Sequence, residues 1–254
     1  MLIDTHSHIY SEEFIHDRDE ALQRAYSSGV KKIILPNIDS GSIKHMLDLA
    51  EAYPHLCYPL MGLHPTSVDE DYKDELQAVE YWLEKRKFYG IGEIGIDLYW
   101  DKKFVNEQKE VFRHQIKLAK KYDLPIIIHV RSSFDETLEI VKQEQDGSLR
   151  GIFHCFSGNE VEAQKVVDLG FLLGIGGVLT FKNSSLDEVI KTVAIQNLVL
   201  ETDAPYLSPV PKRGKRNESA YLVYIAQKVA EIYDLSVAKV AEITTSNARN
   251  LFGI

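Results

Sequence analysis

The residues best equipped for chemistry stand near the start, His6 and His8 in the stretch LIDTHSH. In an extended chain alternate side chains share a face, so the two imidazoles point the same way and can reach one cation. A polar strand end with two incidental histidines is the plain alternative for so short a motif. Further along, His64 follows an apolar run in MGLHP, and Glu93 ends another in GIGEIGID. His129 ends a run in PIIIHVR, His154 ends one in GIFHCF, and Asp203 follows one in LVLETDAP. Neutral imidazole and carboxylate bind Zn²⁺ well, and carboxylate with water also suits Mg²⁺ or Mn²⁺. His6, His8, Glu93, His129, His154 and Asp203 are too many ligands for one catalytic ion with open positions. They suit two divalent ions, Zn, Mn or Mg, with one carboxylate between them. Such a pair favours hydrolysis of phosphate esters, because attacking and leaving oxygens are both stabilised.

The elements that must bring these residues together alternate along the chain. Short apolar runs predict strands at Leu2–Thr5, Lys32–Leu35, Leu56–Met61, Phe88–Glu93, Pro125–Val130, Gly151–Cys155, Phe171–Ile175 and Leu198–Thr202. Amphipathic segments between them predict helices, for example Phe104–Tyr122 with Val111, Ile116 and Leu118 on its apolar side. Two more, near Glu218–Tyr233 and Ser236–Asn250, close the chain. Eight strands with helical crossovers imply an α/β fold, a single TIM-type (β/α)8 barrel whose strand C-termini meet at one rim. Residues spread over two hundred positions then converge there. No composition break marks a domain boundary, so residues 1–254 are expected to form a single barrel domain.

Composition limits the alternatives. A net charge of −9 argues against broad electrostatic attraction to nucleic acid but leaves room for a local basic site. Two cysteines, Cys57 and Cys155, are too few for a disulfide framework. No signal peptide precedes the first strand and no run approaches membrane-spanning length, so a cytoplasmic protein without a membrane partner is expected. No obligate protein partner is evident. His16, His45, His55 and His114 fall in helices or loops and read as surface residues.

Several other residues have two readings. Glu201 lies two positions before Asp203 and supports a ligand from behind or forms an inward salt bridge. His64 contacts a phosphate or is a structural residue before Pro65. Arg131 shares the face of His129 and binds phosphate, or pairs with a carboxylate. Asp97 is expected to hold a loop or a neighbouring ligand, and Cys155 to face the core. Lys212, Arg213, Lys215 and Arg216 form the sharpest basic cluster in an acidic chain, after the eighth strand, with Gly214 letting backbone N–H groups approach an anion. It is a phosphate-binding loop or a solvated one. Tyr99, Trp100 and Tyr206 can stack on bases, although loop packing accounts for them equally well.

The ordered stretches IDTHSH, GLHP, GEIGID, HVR, HCFSG, ETDAP and PKRGKRNE, with TSNARNLF near the end, resemble the TatD family of metal-dependent deoxyribonucleases within the amidohydrolase-type barrels. The resemblance implies that His6, His8 and Asp203 bind a first ion, that His129 and His154 bind a second, and that Glu93 bridges them. It implies DNA as substrate, engaged at strand ends or single-stranded regions, with Asp203 orienting or deprotonating the attacking water. A 3′–5′ exonuclease on single-stranded ends is the expected activity. An amidohydrolase-type hydrolase of a small amide, lactone or phosphoester is the alternative. Ser7 stands where the family often has cysteine, on the side turned from the metals. Ser132 stands where an acidic residue commonly follows the arginine, so any role of that acid is in doubt here.

Overall fold

The computed structural model describes residues 1–254. The short apolar runs form parallel strands β1 (Leu2–Asp4), β2 (Val30–Leu35), β3 (Cys57–Pro59), β4 (Ile91–Asp97), β5 (Ile126–Arg131), β6 (Gly151–Phe153), β7 (Leu172–Ile175) and β8 (Leu198–Leu200). Helices cross between them: α1 (Arg18–Ser27), α2 (Ser40–Ala52), α3 (Tyr72–Lys85), α4 (Val105–Tyr122), α5 (Phe134–Glu144), α6 (Glu160–Asp168) and α7 (Leu186–Lys191). Two helices follow the last strand, α8 (Leu222–Tyr233) and α9 (Val237–Phe252).

The strands pair in order as a three-stranded sheet, β1–β2–β3, and a five-stranded sheet, β4 to β8. Backbone bonds span both seams. Met61 bridges Ile91 between β3 and β4, and Ser7 bridges Ala204 beyond the ends of β1 and β8. Thr5 N donates to Leu200 O at 3.0 Å and Asp203 N to His6 O at 2.9 Å. The result is the expected (β/α)8 barrel.

Helix residues such as Leu22, Met46, Val79, Phe112 and Val141 pack on the outer face of the strands. Ile3, Ile34, Leu60, Ile127, Ile152 and Val199 form a smaller apolar cluster with Ala248 and Phe252 of α9. That helix lies at the N-terminal end of the strands, where Thr245 Oγ1 donates to Met1 O at 3.1 Å and Asn247 Nδ2 to Leu198 O at 2.8 Å. The opposite rim is left to the polar residues.

Most strands end within two or three residues of expectation, and β4 departs furthest. The expected Phe88–Glu93 begins and ends later, so Glu93 stands inside β4 rather than at its end. The glycines that read as punctuation are needed within the strand. Gly95 has φ +146°, and a Cβ added there would lie 2.1 Å from His129 O of β5. The pairing of β4 with β5 shifts register between Ile91 and Ile94, as a bulge does when it re-aims a side chain.

Candidate metal centre

β1 stops at Asp4, yet His6 and His8 still share a face because Ser7 keeps a strand-like bridge to Ala204. Ser7 turns the other way, its hydroxyl accepting from Ser219 Oγ at 3.3 Å. The Nε2 atoms of His6 and His8 approach to 3.1 Å. Two nitrogens on one tetrahedral ion with bonds of about 2.0–2.1 Å would lie about 3.3 Å apart. Tyr10 sets the tautomer of His8. Its hydroxyl donates to Pro36 O at 2.6 Å, so its oxygen accepts from His8 Nδ1–H at 3.0 Å. The lone pair of His8 is therefore on Nε2, facing the cluster.

Glu93 divides the site between its two oxygens. Oε2 lies 3.0 Å from His6 Nε2 and 3.5 Å from His8 Nε2. Oε1 lies 2.7 Å from His129 Nδ1 and 3.3 Å from His154 Nε2. Asn37 fixes the strand at this point, accepting from Glu93 N at 3.1 Å and donating through its amide to Gly62 O at 2.8 Å. Asp203, at φ +57°, brings Oδ1 to 3.7 Å from His6 Nε2 and 3.9 Å from His8 Nε2. All six expected ligands thus meet at the rim.

Carboxylates hold two of the imidazoles from behind. Asp97 Oδ2 lies 3.0 Å from His129 Nε2, while its Oδ1 accepts from Tyr99 N at 2.9 Å. Asp97 therefore holds both a loop and the His129 imidazole. Glu201 Oε1 lies 2.9 Å from His154 Nδ1, off the line of a good hydrogen bond, and accepts from Cys155 N at 2.6 Å. Its two expected readings meet in one contact, a buried carboxylate against the His154 imidazole. Gly174 makes room for it, since a Cβ there would come within 2.3 Å of Glu201 Oε2.

His64 behaves differently. Its Nδ1 accepts from Thr66 N at 3.1 Å, capping the short 3₁₀ turn Pro65–Ser67. Burial lowers its pKa, so the ring is neutral and its proton is on Nε2. That N–H faces Glu93 Oε1 and His129 Nδ1, each at 3.3 Å. A ring with this tautomer offers a donor, not a lone pair, and suits an anionic oxygen better than a cation.

The electrostatics favour a bound cation. Glu93, Glu201 and Asp203 are enclosed by imidazoles, with no lysine or arginine paired to any of them. Burial pushes the Asp203 carboxyl up to about 6. Burial lowers His6 well below its ordinary value, and the nearby His154 adds to the shift. For His154 burial acts downward, but Glu201 and Glu93 outweigh it and push the ring up to about 10. Burial raises Glu93, yet His154, His64 and His6 hold it well below the carboxylate range. Without metal, protons on imidazoles supply the charge that buried carboxylates require. His6 Nδ1 and His154 Nδ1 are buried without hydrogen-bond partners. The donor set suits divalent cations held by His6, His8, Glu93, Asp203, His129 and His154.

The remaining expected residues lie around this cluster. Arg131 pairs with no carboxylate; its guanidinium lies 3.9 Å over the Tyr99 ring. Arg213 donates to Ser208 O at 3.1 Å and lies over Phe181, and Lys212 lies over Tyr221. Arg216 is engaged elsewhere. Its fork holds Asp17 at 2.7 and 2.8 Å and also donates to Glu13 O. Cys155 corrects an expectation: φ +47° breaks the strand alternation and turns its thiol toward His154 and Glu201 instead of the core. Burial raises that thiol well above its usual value, so it stays protonated at neutral pH.

Sequence reasoning passed over the residues that brace the site. Gln108 accepts from Asp97 N at 2.9 Å, and Gln115 bonds both Leu63 N and Leu63 O. Both are buried polar residues on the apolar side of α4, one heptad apart. A glutamine in such a stripe needs a partner, and that was the available signal.

The sequence matches the TatD related DNase family model over residues 3–253. It is 38% identical to the metal-dependent hydrolase YabD of Bacillus subtilis, with all of both chains covered. It is 30% identical to the 3′-5′ ssDNA/RNA exonuclease TatD of Salmonella typhimurium, covering all of this chain and 99% of that one. The crystal structure of the TatD homologue YjjV from Escherichia coli superposes with a TM-score of 0.94 at 32% identity, covering 100% of this chain and 98% of that one.

Proposed function

The chain belongs to the TatD-related DNase family and is a metal-dependent hydrolase; on that premise we propose that it cleaves DNA phosphodiesters, as a 3′–5′ exonuclease on single-stranded ends. The whole of residues 1–254 acts as one hydrolase domain. The observation that carries the reading is the division of Glu93, one oxygen toward His6 and His8, the other toward His129 and His154. Two divalent ions bound there would stabilise the attacking and leaving oxygens of a phosphoryl displacement and lower the pKa of water.

The protein's own side chains do the rest. Asp203 is the base: its carboxylate, near the His6–His8 pair, takes the proton of the attacking water. His64 Nε2–H donates to a non-bridging phosphate oxygen. Arg131, held over the Tyr99 ring and paired with no carboxylate, binds a neighbouring phosphate. Lys212 and Arg213 add positive charge on the loop after β8, where an acidic protein needs it locally. Arg216 holds that loop to Asp17.

The test is digestion of end-labelled single-stranded DNA by metal-loaded protein, with chelator and the Asp203→Asn variant as controls. We expect shortening from the 3′ end, abolished by chelator and lowered at least ~100-fold in Asp203→Asn. Intact DNA beside rapid turnover of small neutral esters would reject the substrate assignment.

A further inference from the structure

Loop packing does not account for the aromatic residues after β4. Tyr99 is 57% exposed and Trp100 70%, while most large apolar side chains of this protein are buried. The two rings meet edge to face at 4.9 Å. The Arg131 guanidinium lies 3.9 Å from the Tyr99 centroid and 5.0 Å from that of Trp100. Its guanidinium has no carboxylate partner, and its side chain is exposed.

This group is fixed to the metal centre. One oxygen of Asp97 accepts from Tyr99 N and Trp100 N at 2.9 and 3.4 Å, and the other faces His129 Nε2 at 3.0 Å. Leu98 N donates to Arg131 O at 2.9 Å, tying the loop to β5. Around the ring of eight strands β8 lies opposite β4. There the loop carries Tyr206, 52% exposed, whose ring stands 6.4 Å from that of His8. Aromatic faces therefore flank the cluster on both sides of the barrel mouth.

We propose that Tyr99, Trp100 and Arg131 form a binding site for an unpaired nucleobase and its phosphate, which gives the enzyme its preference for single strands. The proposal rests on the nuclease reading and adds the residues that select the form of substrate. A flat π-face stacks on any base, and a guanidinium held over the rings without a carboxylate partner keeps its N–H donors for the phosphate. A base inside a duplex is already paired and stacked and would have to be extruded first. The exposed Asp101, Lys102 and Lys103 beside Trp100 make the surroundings polar, unlike an apolar surface for protein docking.

Two measurements test the site. The protein has two tryptophans, so Trp82→Phe leaves Trp100 as the sole indole emitter. A short single-stranded DNA oligonucleotide should quench its fluorescence, and a blunt duplex of the same sequence should not. In the metal-loaded enzyme, Trp100→Ala should raise KM for the single strand by about 5- to 150-fold, the range for loss of one stacked base. We expect kcat to change less than about twofold, unchanged thermal stability, and Trp100→Phe to recover most of the loss. If wild type cuts DNA while Trp100→Ala keeps its KM and the oligonucleotide leaves the emission unmoved, the base site is wrong and the nuclease reading stands. If wild type does not cut DNA, that reading fails, and the base site with it.

Discussion

The Nε2 atoms of His6 and His8 face each other across 3.1 Å, and Tyr10 ensures that the one on His8 carries a lone pair. Tyr10→Phe removes the acceptor for His8 Nδ1–H and frees the other tautomer. We expect about 10- to 100-fold weaker metal binding, the usual cost of losing a partner behind a ligand. Competition with a colorimetric chelator measures it. Unchanged affinity would mean that the tautomer is set some other way.

Gly174 leaves space for Glu201 behind His154. In Gly174→Ala the new methyl would meet Glu201 Oε2 at 2.3 Å and Cδ at 2.9 Å. The buried carboxylate must move away from His154 Nδ1. A loss of about 1–3 kcal/mol in stability is expected from overpacking, together with weaker metal retention. Chemical denaturation and elemental analysis would show the two effects together.

Asp97 joins His129 to the loop that begins at Tyr99. Asp97→Asn can still accept from Tyr99 N but loses its charge against the imidazole. We expect a fall in kcat of about tenfold or more, from weaker support of the ligand. Asp97→Ala should in addition raise KM for single-stranded DNA, because the loop is released. Steady-state kinetics on both variants would separate the two roles.

Asp17 gives a pH dependence away from the metals. Hydrogen bonds from Arg216 and Arg24 hold its carboxyl well below the usual range. A depressed native pKa contributes stability above the unfolded value of about 3.9, and that contribution is lost as pH falls below it. Melting temperature should therefore drop more steeply in wild type than in Asp17→Asn as pH is lowered from about 5 to 3. Parallel curves would show that the arginine pairs contribute nothing measurable, as exposed pairs can.

Much of this was legible because strand-end chemistry repeats: His6, His129, His154 and Asp203 each follow an apolar run, and barrel topology gathers them. Less legible was whatever depends on local backbone departures. Glu93 lies within β4 because glycines let β5 approach, and Cys155 leaves its expected side through a positive φ. The braces were hidden for another reason. Tyr10, Asn37, Gln108 and Gln115 act through bonds to backbone groups 11 to 52 residues away, and no spacing along the chain reveals such partners. Arg216 shows the converse, since a basic run gave no sign that Asp17 would claim one of its members.

Glu93 turns its two oxygens to two different histidine pairs, and metal stoichiometry tests most directly the proposal that two ions are held there. Elemental analysis of dialysed, metal-loaded protein should give two divalent ions per chain in wild type and no more than one in Glu93→Gln. One ion in wild type, or two retained without the carboxylate, would contradict the account.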